Sequence, residues 1–151
     1  AEINPRSHPG SARGLCRRLR RLDTRPMLRA LSMTPVYAVA RATGALRPRP
    51  LNLTFSVTYR CNAKCRTCNV WKKRVDDLTL LEYTRLFASV GRSLYWATFS
   101  GGEPFLRPDL PDIIIACYEQ CRPAIVNIPT NGLLKARLSV FQAANRPRPR
   151  G

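Results

Sequence analysis

Three thiols fall within eight residues in Cys61-Asn62-Ala63-Lys64-Cys65-Arg66-Thr67-Cys68, separated by three and then two residues. One short loop with that spacing can wrap a compact inorganic centre. Thiolates hold iron–sulfur clusters in this way, and a cubane cluster held by only three of them leaves one iron free for another ligand. An open metal position is the mark of a reactive site, whereas structural zinc takes four protein ligands. No fourth Cys or His lies close: His8 is the only histidine and stands in the Arg-rich N-terminal stretch. Reading Cys65 and Cys68 as a redox pair leaves Cys61 unexplained. The spacing favours a cluster, with zinc as the alternative.

Two other cysteines read differently. Cys117 and Cys121 are four apart beside Ile113 and Ile114, which puts them on the apolar face of a helix, where buried Cys acts as a small hydrophobe. Further along, Gly101-Gly102-Glu103-Pro104 joins two glycines that let the backbone approach a ligand closely. Thr130-Asn131-Gly132 is by itself a common turn.

The elements around these segments must position them. Leu51, Leu53, Phe55, Val57 and Tyr59 alternate with Asn52, Thr54, Ser56 and Thr58, the period of a half-buried strand. After the cysteine loop, Thr79-Leu80-Leu81-Glu82 has the form of a capping box. Tyr83, Leu86, Phe87 and Val90 then recur at helical spacing, and Gly91 supplies a stop. Leu94 to Phe99 predicts a second strand and Asp109 to Cys121 a helix with Pro111 in its first turn. Ala124 to Ile128 predicts a third strand, and a last helix begins near Leu133. Strand, helix, strand, helix, strand argues for an α/β fold with a parallel sheet, barrel-like or doubly wound. Each of the three motifs then lies just past the C-terminal end of a successive strand, the face where such sheets assemble their active sites.

In that order and context, the CxxxCxxC, Gly-Gly-Glu-Pro and Thr-Asn-Gly segments resemble the first half of the radical S-adenosylmethionine (SAM) superfamily, over about residues 51–135. The resemblance implies the N-terminal part of a partial (β/α) TIM-like barrel that binds a 4Fe-4S cluster. SAM would chelate the iron that lacks a cysteine through its amino and carboxylate groups. Reductive cleavage would give methionine and a 5′-deoxyadenosyl radical, which abstracts hydrogen from a small-molecule or peptide substrate that the sequence does not name. An electron donor for the cluster is implied as partner. Carried over by position, Cys61, Cys65 and Cys68 ligate the cluster. Gly101, Gly102, Glu103 and Pro104 meet the methionyl amine mainly through backbone, with no acid–base role for Glu103. Asn131 lines the SAM pocket.

Two departures stand out. Many members place an aromatic residue before the third cysteine, near the adenine; here it is Thr67, which leaves Tyr59 or Trp71 as replacements. The family barrel resembles six strands and three are predicted here, so the expectation is a barrel truncated after about three βα units.

The net charge of +17 is concentrated in the flanks: residues 1–50 hold eleven Arg against Glu2 and Asp23, and residues 136–151 hold four Arg and no acid. A basic flank binds phosphates without specificity, and a solvated Arg-rich end is the simpler reading. No specific nucleic acid is expected. Residues 1–50 form a basic extension in which 1–25 are mostly disordered, with room for a short helix over Leu15–Leu22. Residues 27–43 are expected as a helix packed on the domain, and Arg47-Pro48-Arg49-Pro50 as a stiff linker. Residues 51–135 form the core and 136–151 an Arg/Pro-rich tail. No stretch approaches a membrane span or a secretory signal. An organelle-targeting peptide would suit the Arg-rich N-terminus, but Pro26 and Pro35 interrupt it. With an oxygen-sensitive cluster the cytoplasm is the expected compartment. Two other readings fit parts of the sequence: a basic zinc-binding module that contacts nucleic acid, and a remnant that keeps the motifs without activity.

Overall fold

The computed structural model describes residues 25–44 and 47–145. The short helix over Leu15–Leu22, the disorder of residues 1–24, His8 and the end of the Arg/Pro tail lie outside the described residues. In chain order the elements are α1 (Arg25–Ser32), α2 (Thr34–Thr43), β1 (Asn52–Thr58), α3 (Leu80–Val90), β2 (Trp96–Gly101), α4 (Leu110–Cys121), β3 (Ile125–Asn127) and α5 (Lys135–Asn145), with short 3-10 turns at Val70–Lys72 and Pro104–Leu106. The strands form one parallel sheet in the order β1-β2-β3, which is the expected α/β arrangement. No helix among the described residues is long and apolar enough to cross a membrane.

Alternation along β1 and β2 divides the sheet into two unlike faces. Phe55, Val57, Ala97 and Phe99 are buried beneath α3 and α4, which pack side by side. Phe55 and Phe87 meet edge to face with centroids 5.2 Å apart, and Phe55 stacks on Phe99 at 5.5 Å. The opposite face carries Trp96 and Ile125 at its amino end, with the Trp96 indole N–H donating to the Thr98 hydroxyl at 3.0 Å, and is polar beyond them: Thr54 stands level with Thr98, and Thr98 with Asn127, while Ser56 stands level with Ser100. Cys117 and Cys121 are fully buried, and the Cys121 thiol donates to the Phe87 carbonyl at 3.4 Å. Core packing is therefore their role.

The capping box forms as expected: the Thr79 hydroxyl accepts from the Glu82 N–H at 3.3 Å, and Glu82 Oε2 accepts from the Thr79 N–H at 2.7 Å. Pro111 sits in the first turn of α4, where its missing N–H costs nothing.

Three expectations need correction. The single helix over 27–43 is two, α1 and α2, meeting at Met33. Pro35 has no N–H and its ring would collide with the preceding turn, so it is accommodated only where a new helix starts. Neither does this pair pack into the core: α2 buries no residue, and Met27, Leu28, Leu31 and Val39 are exposed. Its described tether is the Tyr37 hydroxyl, which donates to the Arg49 carbonyl. Second, β2 begins and ends two residues later than its apolar run, so Gly101 belongs to the strand. Third, β3 is shorter than predicted, and α5 starts at Lys135.

Phe87 touches both β1 and β2 aromatics and is fully buried. Phe87→Ala is expected to destabilise the fold by about 3–5 kcal/mol through lost burial and the cavity left behind, read from the urea midpoint of the variant against the parent chain.

Candidate metal centre

The carboxyl end of the sheet is shaped by one extra residue. Ser56 pairs with Ser100 and Thr58 with Gly101, so Val57 is a bulge between them. Strict alternation would leave Thr58 on the polar face, yet it is buried like Val57 beside it. A bulge re-aims the chain beyond it, and the segment beyond this one is the cysteine loop. The Thr58 hydroxyl accepts from the Arg60 N–H at 3.1 Å and turns the chain out of the strand.

Past the bulge, the pairing of β1 and β2 continues into the loops. Gly102 N–H donates to the Thr58 carbonyl at 2.7 Å and Glu103 N–H to the Arg60 carbonyl at 2.9 Å. Both glycines are required by this approach. A Cβ on Gly101 would lie 2.1 Å from the Thr58 oxygen, and one on Gly102 would lie 2.1 Å from the Arg60 oxygen. Gly101 also has φ of +134°, which side-chain-bearing residues rarely adopt. The glycines thus admit the backbone that carries Cys61, where the sequence suggested the approach of a ligand.

Glu103 turns its side chain inward and is fully buried. One carboxylate oxygen accepts from Phe105 N–H at 3.1 Å and the Thr130 hydroxyl at 2.8 Å, and the other accepts from Asn131 N–H at 2.8 Å. The loop after β2 is therefore bound to the loop after β3. Asn131 passes the connection on: its side-chain amide donates to Asn62 Oδ1 at 2.8 Å and lies 3.9 Å from Cys61 Sγ, while its own oxygen accepts from Leu133 N–H. All three motifs meet at one rim, and Asn131 contacts the cysteine loop directly.

A residue with no motif holds the same rim from below. Arg107 is buried and donates to the Val57 carbonyl at 2.7 Å, the carbonyl of the bulged residue, and to the Leu78 carbonyl. Asp109 receives two further bonds from it, at 2.7 and 2.9 Å. The guanidinium also lies over the Tyr83 ring. One of its acceptors is the carbonyl of the bulged residue, and neither period nor spacing announces a bulge.

On the loop, Cys61 is half-buried and accepts from Ala63 N–H at 3.4 Å, while Cys65 and Cys68 are exposed. None is in a disulfide. Among the described residues no three ligating side chains are closed around one point, so no cage is preformed. The donor set itself suits a thiolate-held cluster: three thiols, none of them in a disulfide, lie on one loop. Tyr59 and Trp71, the aromatic replacements considered for the adenine, are half-buried and have lysines over their rings. The Lys64 and Lys72 ammonium groups lie 5.5 and 5.3 Å from the Trp71 ring centre, and that of Lys73 lies 5.4 Å from that of Tyr59.

Two consequences are measurable. In Glu103→Gln one oxygen becomes a donor and faces an N–H or hydroxyl that no longer has an acceptor; the expected cost is about 1–3 kcal/mol in urea unfolding. Hydrogen bonds from Arg107 hold the Asp109 carboxyl below its ordinary value of 3.8, against the opposing effect of burial. Its folded value is thus lower than its unfolded one, so the stabilisation is complete above the unfolded value and is lost as pH falls through the folded one. Acid unfolding should show this loss below pH 3.8 in the parent chain and a shallower pH dependence in Asp109→Asn.

No family model matches the chain. The chain is 36% identical over 110 residues to GTP 3′,8-cyclase 1 of Mycobacterium tuberculosis strain H37Rv, covering 64% of this chain and 30% of that protein. It is 34% identical over 111 residues to GTP 3′,8-cyclase of Aquifex aeolicus, covering 66% and 34%. To molybdenum cofactor biosynthesis protein 1 of Bos taurus it is 35% identical over 94 residues, covering 57% and 14%. The matched region spans about a third or less of these relatives. The GTP 3′,8-cyclases are enzymes of the radical SAM family, and it is to one part of such enzymes that this chain is similar.

Proposed function

We propose that this chain supplies the cluster- and SAM-binding part of a radical SAM enzyme whose substrate is GTP. The observation that carries the reading is the meeting of three motifs at one rim: the cysteine loop is seated on Gly101 and Gly102, and Asn131 ties it to the loop after β3. Likeness to the GTP 3′,8-cyclases supports both the chemistry and the choice of GTP.

In this reading Cys61, Cys65 and Cys68 hold a 4Fe-4S cluster. When bound and reduced, such a cluster supplies the electron that cleaves SAM to methionine and a hydrogen-abstracting 5′-deoxyadenosyl radical. The chain's own residues do the rest by position. Backbone of the Gly101 to Pro104 segment would border the SAM methionyl group, and Glu103, its carboxylate engaged by three donors, holds that segment still and has no acid–base role in this reading. Asn131 fixes the loop beside Cys61. The polar sheet face, with Thr54, Thr98 and Asn127 in one row and Ser56 and Ser100 in the next, offers hydroxyl and amide partners to a bound nucleoside. The cytoplasm is the compartment such chemistry favours.

Anaerobic reconstitution with iron and sulfide, then electron paramagnetic resonance of the reduced protein, tests the proposal. A four-iron signal that shifts on adding SAM is expected, and it should be absent when Cys61, Cys65 and Cys68 are all replaced by Ala. Uptake of zinc alone, or a cluster that survives the triple replacement, would sink the assignment.

A further inference from the structure

The helix pair that precedes the sheet leaves apolar side chains in water. Met27, Leu28 and Leu31 of α1 keep between 48% and 62% of their surface in solvent, and Val39 of α2 keeps 49%. An exposed apolar residue standing alone is ordinary. Met27, Leu28 and Leu31, however, occupy positions i, i+1 and i+4 of α1, which places them on one side of the helix. Exposed apolar groups gathered in this way mark an interaction surface. The charge around them selects the occupant: from Thr24 to Val75 the chain has no acid, and the pair with the linker after it carries Arg25, Arg29, Arg41, Arg47 and Arg49. Arg41, Arg47 and Arg49 are exposed.

We propose that α1 and α2 form a membrane-surface anchor, a basic amphipathic pair that lies in the interface of a bilayer containing anionic lipid. Its apolar side chains enter the boundary of the acyl chains and its arginines stay at the level of the phosphates. At 8 and 10 residues the two helices are too short to span, so the contact is along the surface. The attachment point suits this arrangement. The Tyr37 hydroxyl donates to the Arg49 carbonyl, and the Arg49 guanidinium lies beside Gly91 at the end of α3. Two residues further on, the Leu51 carbonyl accepts from Tyr95 and Trp96 N–H where β2 begins. The pair is thus fastened at the amino end of the sheet, and docking through it leaves the rim at the carboxyl end facing solution. This inference stands apart from the proposed function and does not depend on what the rim binds.

Two other occupants fit less well. A nucleic acid would neutralise the arginines through its phosphates and leave Met27, Leu28 and Leu31 in water. A second copy of this chain would cover the apolar groups but bring its own charge of +17 against the first. An anionic lipid surface satisfies both the apolar side chains and the charge.

The test is co-sedimentation of the whole chain with vesicles of phosphatidylcholine and phosphatidylglycerol in equal amounts, set against vesicles of phosphatidylcholine alone. Binding to the anionic vesicles is expected, and it should be weaker by about tenfold or more on the neutral ones. The variant Met27→Gln, Leu28→Gln, Leu31→Gln keeps every charge, so adsorption by basic residues elsewhere in the chain is the same as in the parent. Its affinity for the anionic vesicles should nevertheless fall by about tenfold or more. Leu28→Met, Leu31→Met should bind as the parent does. The replaced side chains are exposed, so an unchanged urea midpoint shows that the variant is folded. No binding to anionic vesicles, equal binding to neutral ones, or undiminished binding by the Gln variant overturns the proposal. A dimer in sedimentation velocity that the Gln variant abolishes would assign the face to a second copy, and oligonucleotide binding that it abolishes would assign the face to nucleic acid; either result overturns the proposal as well.

Discussion

The rim depends on how closely two stretches of backbone approach each other. Gly101 and Gly102 lie so near Thr58 and Arg60 that a methyl group on either would stand 2.1 Å from a carbonyl oxygen. This contact carries the β1 and β2 pairing past the strands, through the bonds from Gly102 and Glu103 to Thr58 and Arg60. The first cysteine comes immediately after, so its place relative to the sheet is set by hydrogen bonds in the backbone. Glu103 then joins this edge to Thr130 and Asn131. Remove the glycines and the three motifs no longer share a rim.

Much of this was legible from residue types. The alternation in β1, the capping box at Thr79 and Glu82, the helical spacing of Tyr83 and Phe87, and the apolar placing of Cys117 and Cys121 each reflect local physics that the structure repeats. The cysteine spacing put three thiols on one loop, and the structure keeps all three out of disulfides. Other features escaped because they are properties of tertiary contact. The bulge at Val57 needs two strands to exist, and the bond from Arg107 to its carbonyl joins residues 50 apart in the chain. The inward turn of Glu103 depends on donors 27 and 28 residues away. The break between α1 and α2 was within reach, since Pro35 was visible, but its location in a first turn depends on where the second helix starts.

The sheet is also asymmetric in what it leaves uncovered. Its apolar face is closed by α3 and α4, while the face bearing Thr54, Thr98 and Asn127 has only partly buried or exposed residues. Polar side chains on that face keep it compatible with water or with a hydrogen-bonding ligand, which a parallel sheet covered by helices on both faces would not need. Charge is segregated in the same manner: the buried guanidinium of Arg107 meets the half-buried Asp109 under the rim, and the exposed Lys and Arg side chains of the cysteine loop lie on its outside.

The described cysteines divide into two populations by depth. Cys117 and Cys121 have no exposed surface, and the hydrogen bond with the Cys121 thiol, together with burial, pushes the Cys117 thiol well above its ordinary range. Metal ions and oxidants react with thiolates that they can reach. The folded chain therefore sorts its own sulfur: an incoming iron ion or peroxide meets Cys61, Cys65 and Cys68 and is kept from the helix pair. Mis-metallation and oxidative damage fall on the same loop that would do the chemistry, while the core stays chemically silent. A chain that lost this fold would lose that distinction first, and all six of its thiols would then compete for what three are placed to receive.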